Sequence, residues 1–286
     1  MIAVEIMAQV RVVTDSSAHL TAEQIDTHDI TVLPLEVRWG DDRFRVSPDR
    51  DVRQLFERMA SERARPTRAM ISPSTFEEAY TRLNRQTDQI LVILGSSKLS
   101  SAFASAKAVS ASFLGRCRIA VQDSLSTSWG LGLLVTAAAE AAAAGQSLDE
   151  IVRLVRGMLP HIYVVFFVER LDYLEKGNRI GPAQAFLGTM LNIKPLLIME
   201  DGDIIPLEKV RTRADAIEKL ADFVGEFAGI EQVVILCSPL GNDTESLVEH
   251  LKVILPGHTF PVVEYDAVLA CHLGPDAMGV TVYEGS

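Results

Sequence analysis

Basic residues and cysteines are scarce in this sequence, and each shortage excludes a class of protein. Lys and Arg total 27 against 38 Asp and Glu, so the formal net charge is −11, and the basic residues form no long patch. A polyanion would be repelled at distance, which excludes nucleic acid as an expected partner but still allows one Arg to bind one carboxylate. The three cysteines, Cys117, Cys237 and Cys271, form no CxxC pair.

Membrane spans and secretory leaders are also missing from the sequence. No uncharged apolar run reaches about 18 residues, the length that a membrane span needs. Residues 1–6 are apolar apart from Glu5, but no basic segment precedes them, so they are not predicted to be a signal peptide. Because unpaired cysteines are typical of reducing compartments, we expect a soluble cytoplasmic protein with at most transient membrane contact.

The short motifs that carry common enzyme chemistry are absent as well. There is no GxSxG elbow, no HExxH, HxxxH or CxxC pattern, no Walker loop and no GxGxxG after a strand. These absences exclude the machinery of the common hydrolases, kinases and dehydrogenases. We therefore expect no catalytic residue, no metal site and no cofactor.

The first half of the chain alternates strand-like and helix-like segments. Helix starts are indicated by a capping box at Thr21 and Gln24, by Ser72 followed by Pro73, and by Ser147 with Glu150. Continuous apolar runs, typical of buried parallel strands, occupy residues 10–14, 90–94 and 119–121. Strands that alternate with helices indicate a parallel sheet that is covered on both faces.

Two hairpins are predicted from turn residues between strand-like runs. Residues 30–39 are predicted as one strand that turns at Gly40 towards a partner at 43–46. In the second half, Asp201-Gly202 is predicted to join strands at 195–200 and 204–206. Hairpins mixed with helices favour a mixed or antiparallel sheet in this half.

These patterns predict an α/β protein of two domains. The 48% hydrophobic content is ample for packed cores in a chain of 286 residues. We predict an N-terminal parallel-sheet domain at residues 1–159 and a smaller C-terminal α/β domain with a mixed or antiparallel sheet at residues 160–286.

Polar clusters follow several predicted parallel strands, where ligands bind in open α/β sheets. For Asp15 and Ser124 the favoured interpretation is a helix cap. The four serines of the next cluster exceed what one cap needs, so ligand contact is favoured for Ser96, Ser97, Ser100 and Ser101. Hydroxyl groups beside helix N-termini suit an anionic oxygen group.

Five segments, spread in order over nearly the whole chain, resemble the DegV family. They are VTDSS at 13–17, LDYL at 171–174, KGNRI at 176–180, KVRTR at 209–213 and HLGP at 272–275, the last with Gly279 beyond it. The resemblance implies two α/β domains with a fatty acid held between them. It also implies a carrier that is not itself an enzyme and that presents its ligand to a separate fatty acid kinase catalytic subunit, which phosphorylates the carboxylate.

The resemblance also implies which residues bind the ligand. The family's carboxylate-binding Thr corresponds to Thr67, and the serine after the next strand corresponds to Ser97, with Ser96 adjacent and Ser100 in the following turn. Arg179 and His272 match two further family positions. Without the resemblance, Arg179 would be read as a solvated turn residue and His272 as a satisfied buried histidine.

Arg68 departs from the family pattern, which has a hydroxyl residue at this position. Its guanidinium could pair with the ligand carboxylate in place of the lost hydroxyl, or it could face solvent, and both interpretations remain open. Arg211 and Arg213 are most simply a solvated edge, with a docking surface for a kinase as the alternative.

The sequence therefore predicts a lipid-binding carrier that holds a long-chain fatty acid in a buried tunnel and presents its carboxylate to a partner kinase. Each buried methylene contributes roughly 0.8 kcal/mol, so a 16-carbon chain gains on the order of 10 kcal/mol before ordering costs. One alternative is a small-molecule phosphotransferase or hydrolase that uses the serine cluster with His272. Another is a regulatory module in which the lipid is only a filler.

Overall fold

The structure, a computed structural model, describes residues 9–46, 53–61, 68–171, 173–174, 193–241 and 244–285. These residues form three β-sheets, with α-helices packed on the two larger ones. Within the described ranges, no helix combines the length and the apolar character that crossing a membrane requires.

A four-stranded parallel sheet organises the N-terminal region, in the order β2-β1-β6-β7. Its strands are β1 (Arg11–Asp15), β2 (Thr31–Leu33), β6 (Gln89–Leu94) and β7 (Arg118–Asp123). Five helices accompany it: α1 (Ala22–Thr27), α3 (Pro73–Leu83), α4 (Ala102–Ser110), α5 (Ser128–Ala143) and α6 (Leu148–Met158). Alternate side chains of the sheet pack on α3 and α4 on one face and on α5 and α6 on the other, which confirms the predicted covered parallel sheet.

The prediction of one continuous strand at residues 30–39 is wrong. It is divided at Pro34 into β2 and β3 (Glu36–Trp39), which lie in different sheets. Proline has no N–H to donate to a sheet, so the chain leaves the parallel sheet there. β3 then pairs antiparallel with β4 (Asp42–Arg45), as predicted, and with β5 (Arg68–Met70), while α2 (Arg53–Ser61) lies between β4 and β5 in the chain.

A six-stranded mixed sheet organises the C-terminal region, in the order β10-β9-β8-β13-β11-β12. Its strands are β8 (Ile162–Phe167), β9 (Lys194–Glu200), β10 (Asp203–Val210), β11 (Ile230–Cys237), β12 (Val262–Glu264) and β13 (Met278–Glu284). Only the β11–β12 pair is parallel. Helices α7 (Arg213–Val224) and α8 (Thr244–Ile254) cover one face, and the short α9 (Ala267–Leu273) precedes β13.

The other face of this six-stranded sheet packs against the N-terminal region. Val164 and Phe166 of β8 and Met199 of β9 share one apolar core with Leu94 and Leu99, which lie at and beyond the end of β6. This contact creates a buried layer between the two larger sheets. The predicted division at 159/160 stays a prediction, and the first strand of the six-stranded sheet begins at Ile162.

The helix and turn signals read from the sequence are confirmed where the structure describes them. Capping boxes open α1 at Thr21 and α6 at Ser147, and Ser72 caps α3. Asp201 and Gly202 have φ angles of 49° and 82° and join β9 to β10, as the hairpin signal predicts.

Candidate functional site

The carboxyl ends of three neighbouring parallel strands bring the predicted polar clusters together. Leu94 at the end of β6 pairs with Asp123 at the end of β7, and β1 ends beside β6 at Asp15. The loops that follow these strands therefore meet at one edge of the sheet, which is the usual position of a ligand site in such folds.

Asp15 is buried at this edge and accepts three hydrogen bonds. Its Oδ1 accepts the Ser17 N–H at 2.8 Å and also the Ser17 hydroxyl, and its Oδ2 accepts the Gly95 N–H at 3.0 Å. Burial raises the pKa of the Asp15 carboxyl, and these hydrogen bonds partly offset that rise. Asp15 is therefore not a helix cap, because the N-cap residue of the next helix, α1, is Thr21.

The prediction that Ser124 caps a helix is also wrong. Its Oγ donates to the Ser126 carbonyl at 3.0 Å, whereas the N-cap residue of α5 is Thr127. Asp123 shapes the same region, since its Oδ1 accepts the N–H groups of Leu125 at 3.0 Å and Ser97 at 3.1 Å. The side chains of this loop thus bond to the backbone of the loop and of its neighbour.

The serines of the cluster differ in their burial and in their hydrogen-bond partners. Ser96 is fully buried, and its Oγ donates to the Gly202 carbonyl at 2.7 Å, which ties the loop after β6 to the β9–β10 hairpin. The Ser100 Oγ accepts the Ala102 N–H at 3.2 Å, and Ser97 is half-buried. The predicted ligand contacts of Ser96, Ser97 and Ser100 stay predictions.

A small cavity with both polar and apolar walls, which we call the head cavity, brings together three of the predicted site residues. Ser96 and Ser100 reach it from the loop after β6, and His272 reaches it from α9, near the far end of the chain. Its free space is about 20 Å³. Its walls are Asp15, Ser17, Leu35, Gly95, Ser96, Leu99, Ser100, Thr127, Val268, Leu269 and His272.

An apolar cavity adjoins the head cavity and lies in the layer between the sheets. Leu99, Thr127 and Leu269 line both cavities, so the two are neighbours. The remaining walls come from the six-stranded sheet and the segments beside it, and nearly all are apolar: Val164, Phe166, Met199, Ile204, Leu236, Tyr265, Leu273, Ala277, Met278 and Gly279. A cavity that contains hydroxyl and carboxyl side chains and adjoins an apolar cavity suits an amphipathic molecule.

The helix that carries His272 is held at its start by a half-buried acid, Asp266. The Asp266 Oδ1 accepts the N–H groups of Val268 at 2.6 Å and Leu269 at 2.9 Å at the start of α9. Burial raises the pKa of Asp266 to about 7, and the nearby charge of Asp15 adds to this rise. Asp266 thus fixes the start of the helix that supplies Val268, Leu269 and His272 to the head cavity.

The segment after His272 is fixed by two tyrosines. The Tyr265 hydroxyl donates to the Gly274 carbonyl at 2.8 Å and accepts the Ala277 N–H at 3.1 Å. Gly274 has a φ of 83°, and a Cβ added there would lie 2.8 Å from the Tyr173 ring. Both the left-handed backbone and the close ring require glycine, which explains this position of the HLGP segment.

The expectation of a solvated edge is wrong for Arg213. Its Nη1 lies 2.9 Å from the Glu169 Oε1, and its guanidinium lies 5.0 Å from the centre of the Phe167 ring. Lys194 forms an ion pair with the same carboxylate. Arg213 is thus a half-buried structural residue, whereas Arg211 is exposed.

Several predicted site residues lie outside what the structure describes. Thr67 falls in the undescribed range 62–67. Arg179 falls in the undescribed range 175–192, which contains the whole KGNRI segment. Arg68 is described only as backbone, in β5, where it pairs with Arg38 of β3. Among the described residues, no group of three His, Cys, Asp or Glu side chains could hold a metal ion.

Three residues beside the two cavities escaped sequence reasoning. Asp266 carries a readable signal, because an Asp followed by the apolar run Ala-Val-Leu-Ala is a typical helix start. Thr127 and Tyr265 carry none, since their positions depend on loops that only the folded chain brings together.

Comparison with known proteins places the chain in a family. The family model described as "Uncharacterised protein, DegV family" matches residues 9–285. A DegV domain-containing protein of Streptomyces coelicolor is 36% identical over 96% of this chain and 98% of its own length.

Solved structures show the same fold. A Thermus thermophilus DegV family protein, described with fatty acid binding, is 29% identical with a TM-score of 0.85, covering 97% of this chain and 100% of its own. Bacillus subtilis DegV, described as a fatty acid binding protein, is 26% identical with a TM-score of 0.86 and the same coverage. This chain therefore belongs to the DegV family.

Proposed function

We propose that this chain binds one long-chain fatty acid, with its carboxyl group in the head cavity and its acyl chain in the apolar cavity, and that it is not itself an enzyme. The observation that carries the proposal is that the two cavities adjoin, with Leu99, Thr127 and Leu269 in the walls of both. The fatty acid binding described for the Thermus thermophilus and Bacillus subtilis proteins supports it.

The apolar cavity must widen to admit an acyl chain. Its free space among the described residues is about 10 Å³, roughly the room of one water molecule. Met199 in its wall is unbranched and flexible, so it can move aside at little cost. Burial of the chain, at roughly 0.8 kcal/mol for each methylene, supplies the free energy for this rearrangement.

For the carboxyl group, we propose Thr67 and Ser97 as hydrogen-bond donors, with Ser100 and Arg68 beside them. The Ser100 side chain lines the head cavity, and Ser97 lies three residues before it, next to Ser96. The Ser96 hydroxyl already donates to the Gly202 carbonyl, so its role is to hold the loop after β6 against the β9–β10 hairpin.

The alternative enzyme function, a phosphotransferase or hydrolase that uses the serine cluster with His272, has less support. A nucleophilic serine donates its proton to a base, which activates the oxygen. Ser96 instead donates its single proton to the Gly202 carbonyl at 2.7 Å, which cannot act as that base.

We further propose that the carrier works in the cytoplasm and presents the carboxylate to a fatty acid kinase catalytic subunit. The three cysteines are buried free thiols, as a reducing compartment allows. His272 lies in the wall of the head cavity, where it can contact the carboxyl group or the phosphate formed on it. Arg179 is the cation proposed to contact the kinase or its phosphate.

The proposal that Arg179 and His272 act in presentation to the kinase predicts different effects on fatty-acid binding and on phosphorylation of the bound fatty acid. In R179A and H272A, we expect near-normal lipid occupancy but much reduced kinase-dependent phosphorylation, because burial of the acyl chain supplies most of the retention. Occupancy is measured by mass spectrometry of extracted lipid, and phosphorylation with ATP and a fatty acid kinase subunit. R82A, which changes an exposed Arg of α3 to which no role is assigned, is the control for lost positive charge. If the variants instead lose bound lipid in proportion to the loss of phosphorylation, Arg179 and His272 serve only to bind the fatty acid, and the proposed role in presentation is wrong.

A further inference from the structure

We infer that a second binding site, separate from the two fatty-acid cavities, lies along α5 and takes an elongated organic polycation, an aliphatic polyamine. The site is an open groove, which we call the α5 groove, with about 400 Å³ of free space. It shares no lining residue with the head cavity or with the apolar cavity. The inference therefore does not depend on the proposed function.

The floor of the α5 groove is one face of α5. Trp129, Leu133, Thr136, Ala137 and Glu140 line it, and their helical spacing places them along the same side of the helix. Trp129 and Glu140 are eleven residues apart in the chain, which corresponds to roughly 16 Å at 1.5 Å for each residue. The floor is therefore elongated, with an aromatic side chain near one end and a carboxylate near the other.

The segment that leads into α1 forms one wall of the groove. The His19 N–H donates to the Ser128 carbonyl at 3.0 Å, which places His19 at the same end of α5 as Trp129. Further along, the Gln24 Nε2 donates to the Thr136 Oγ1 at 3.2 Å. The polar groups in the middle of the groove thus bond to each other and leave little for a ligand there.

The polar groups at the two ends are available to a ligand. No described residue forms a hydrogen bond or an ion pair with the side chain of Trp129 or of Glu140. Trp129 is half-buried and Glu140 is exposed. An indole ring attracts a cation to its face, and a carboxylate attracts one by its charge. Each end can therefore bind an ammonium group.

The charge around the groove also favours a cation. Among the described residues that line it, Glu140 alone is charged at neutral pH, because burial lowers the pKa of His19 and keeps the imidazole neutral. Glu23, Glu231 and Glu264 each directly adjoin a lining residue in the chain, and no Lys or Arg does so. The net charge of −11 further attracts polycations from a distance.

A polyamine matches the groove in both length and chemistry. It carries an ammonium group at each end, one for the Trp129 ring and one for the Glu140 carboxylate. The methylenes between these groups can pack on Leu133 and Ala137 in the floor. Spermine is long enough to reach both ends, whereas putrescine, with only four methylenes, reaches one end at a time.

The test is titration calorimetry of spermine into the full chain at low ionic strength, where charges are weakly screened. We expect saturable binding of one spermine per chain, and putrescine should bind about tenfold more weakly. W129L should weaken spermine binding about tenfold and E140Q about threefold to fivefold, as expected for the loss of a cation–π contact and of an exposed ion pair. E78Q removes an exposed carboxylate from α3, on the other face of the parallel sheet, and should leave the Kd unchanged.

Fluorescence locates the bound spermine, because the chain has two tryptophans and Trp39 is buried in β3. Spermine should shift the emission of W39F, whose remaining tryptophan is Trp129. If W39F fails to fold, the shift should be present in the wild type and absent in W129L. A Kd that responds alike to E78Q and E140Q would show unspecific attraction to an acidic protein and would overturn the inference. So would no spermine binding, or equal affinity for spermine and either putrescine or the uncharged 1,12-dodecanediol.

Discussion

The V164F variant should lose fatty-acid binding while the protein stays folded. Val164 lies on β8, is buried, and lines the apolar cavity, whose free space of about 10 Å³ cannot take the larger ring and an acyl chain together. Excluding about four methylenes from the cavity costs about 3 kcal/mol, which corresponds to a Kd weakened more than 100-fold. Titration calorimetry with palmitate measures this loss.

The neighbouring residue provides the matched control. Val165 is equally buried, but its side chain points to the other face of β8 and packs in the core beneath α7 and α8. Overpacking costs typically about 1–3 kcal/mol, so V164F and V165F should both lower the melting temperature. Only V164F should lose palmitate. Equal binding by the two variants would show that this cavity does not hold the acyl chain.

The G279A variant should be the most destabilising single-methyl change in the six-stranded sheet. A Cβ at Gly279 of β13 would lie 2.6 Å from the Val165 carbonyl oxygen and 2.7 Å from the Phe166 Cβ of the neighbouring strand β8. Because the nearest atom belongs to the backbone of a central strand, the strands themselves must separate. We expect a loss of about 3 kcal/mol in the free energy of unfolding, measured by urea denaturation.

G157A is the corresponding control, because it adds the same methyl group where there is room. Gly157 lies in the last turn of α6, and a Cβ added there meets no other atom within 4 Å. Alanine favours the helix over glycine, so this variant should be more stable by about 0.5–1 kcal/mol. If the two variants unfold at the same urea concentration, the close approach of β8 and β13 does not limit stability.

Elements that depend on neighbouring residues were predictable from the sequence. The capping boxes at Thr21 and Ser147 and the Asp201-Gly202 turn each act within a few residues. The parallel strands were predictable because burial on both faces gives continuous apolar runs. Motifs of the resembled family added the arrangement of the two domains.

Features that depend on distant parts of the chain were not predictable in this way. β5 has only three residues, and its partner β3 lies far back in the chain, so no local pattern marks it. Asp15 resembles a helix cap locally, yet its hydrogen bond from Gly95 and its place in the head cavity exist only because β1 and β6 are neighbours.

The proposal that the chain holds a fatty acid is tested most directly by the lipid content of the purified protein. The protein is incubated with excess palmitate, separated from free lipid by gel filtration, and extracted under denaturing conditions for quantitative mass spectrometry. We expect about one fatty acid for each wild-type chain and little for V164F. A wild-type extract with no fatty acid above that of a buffer blank would contradict the proposal.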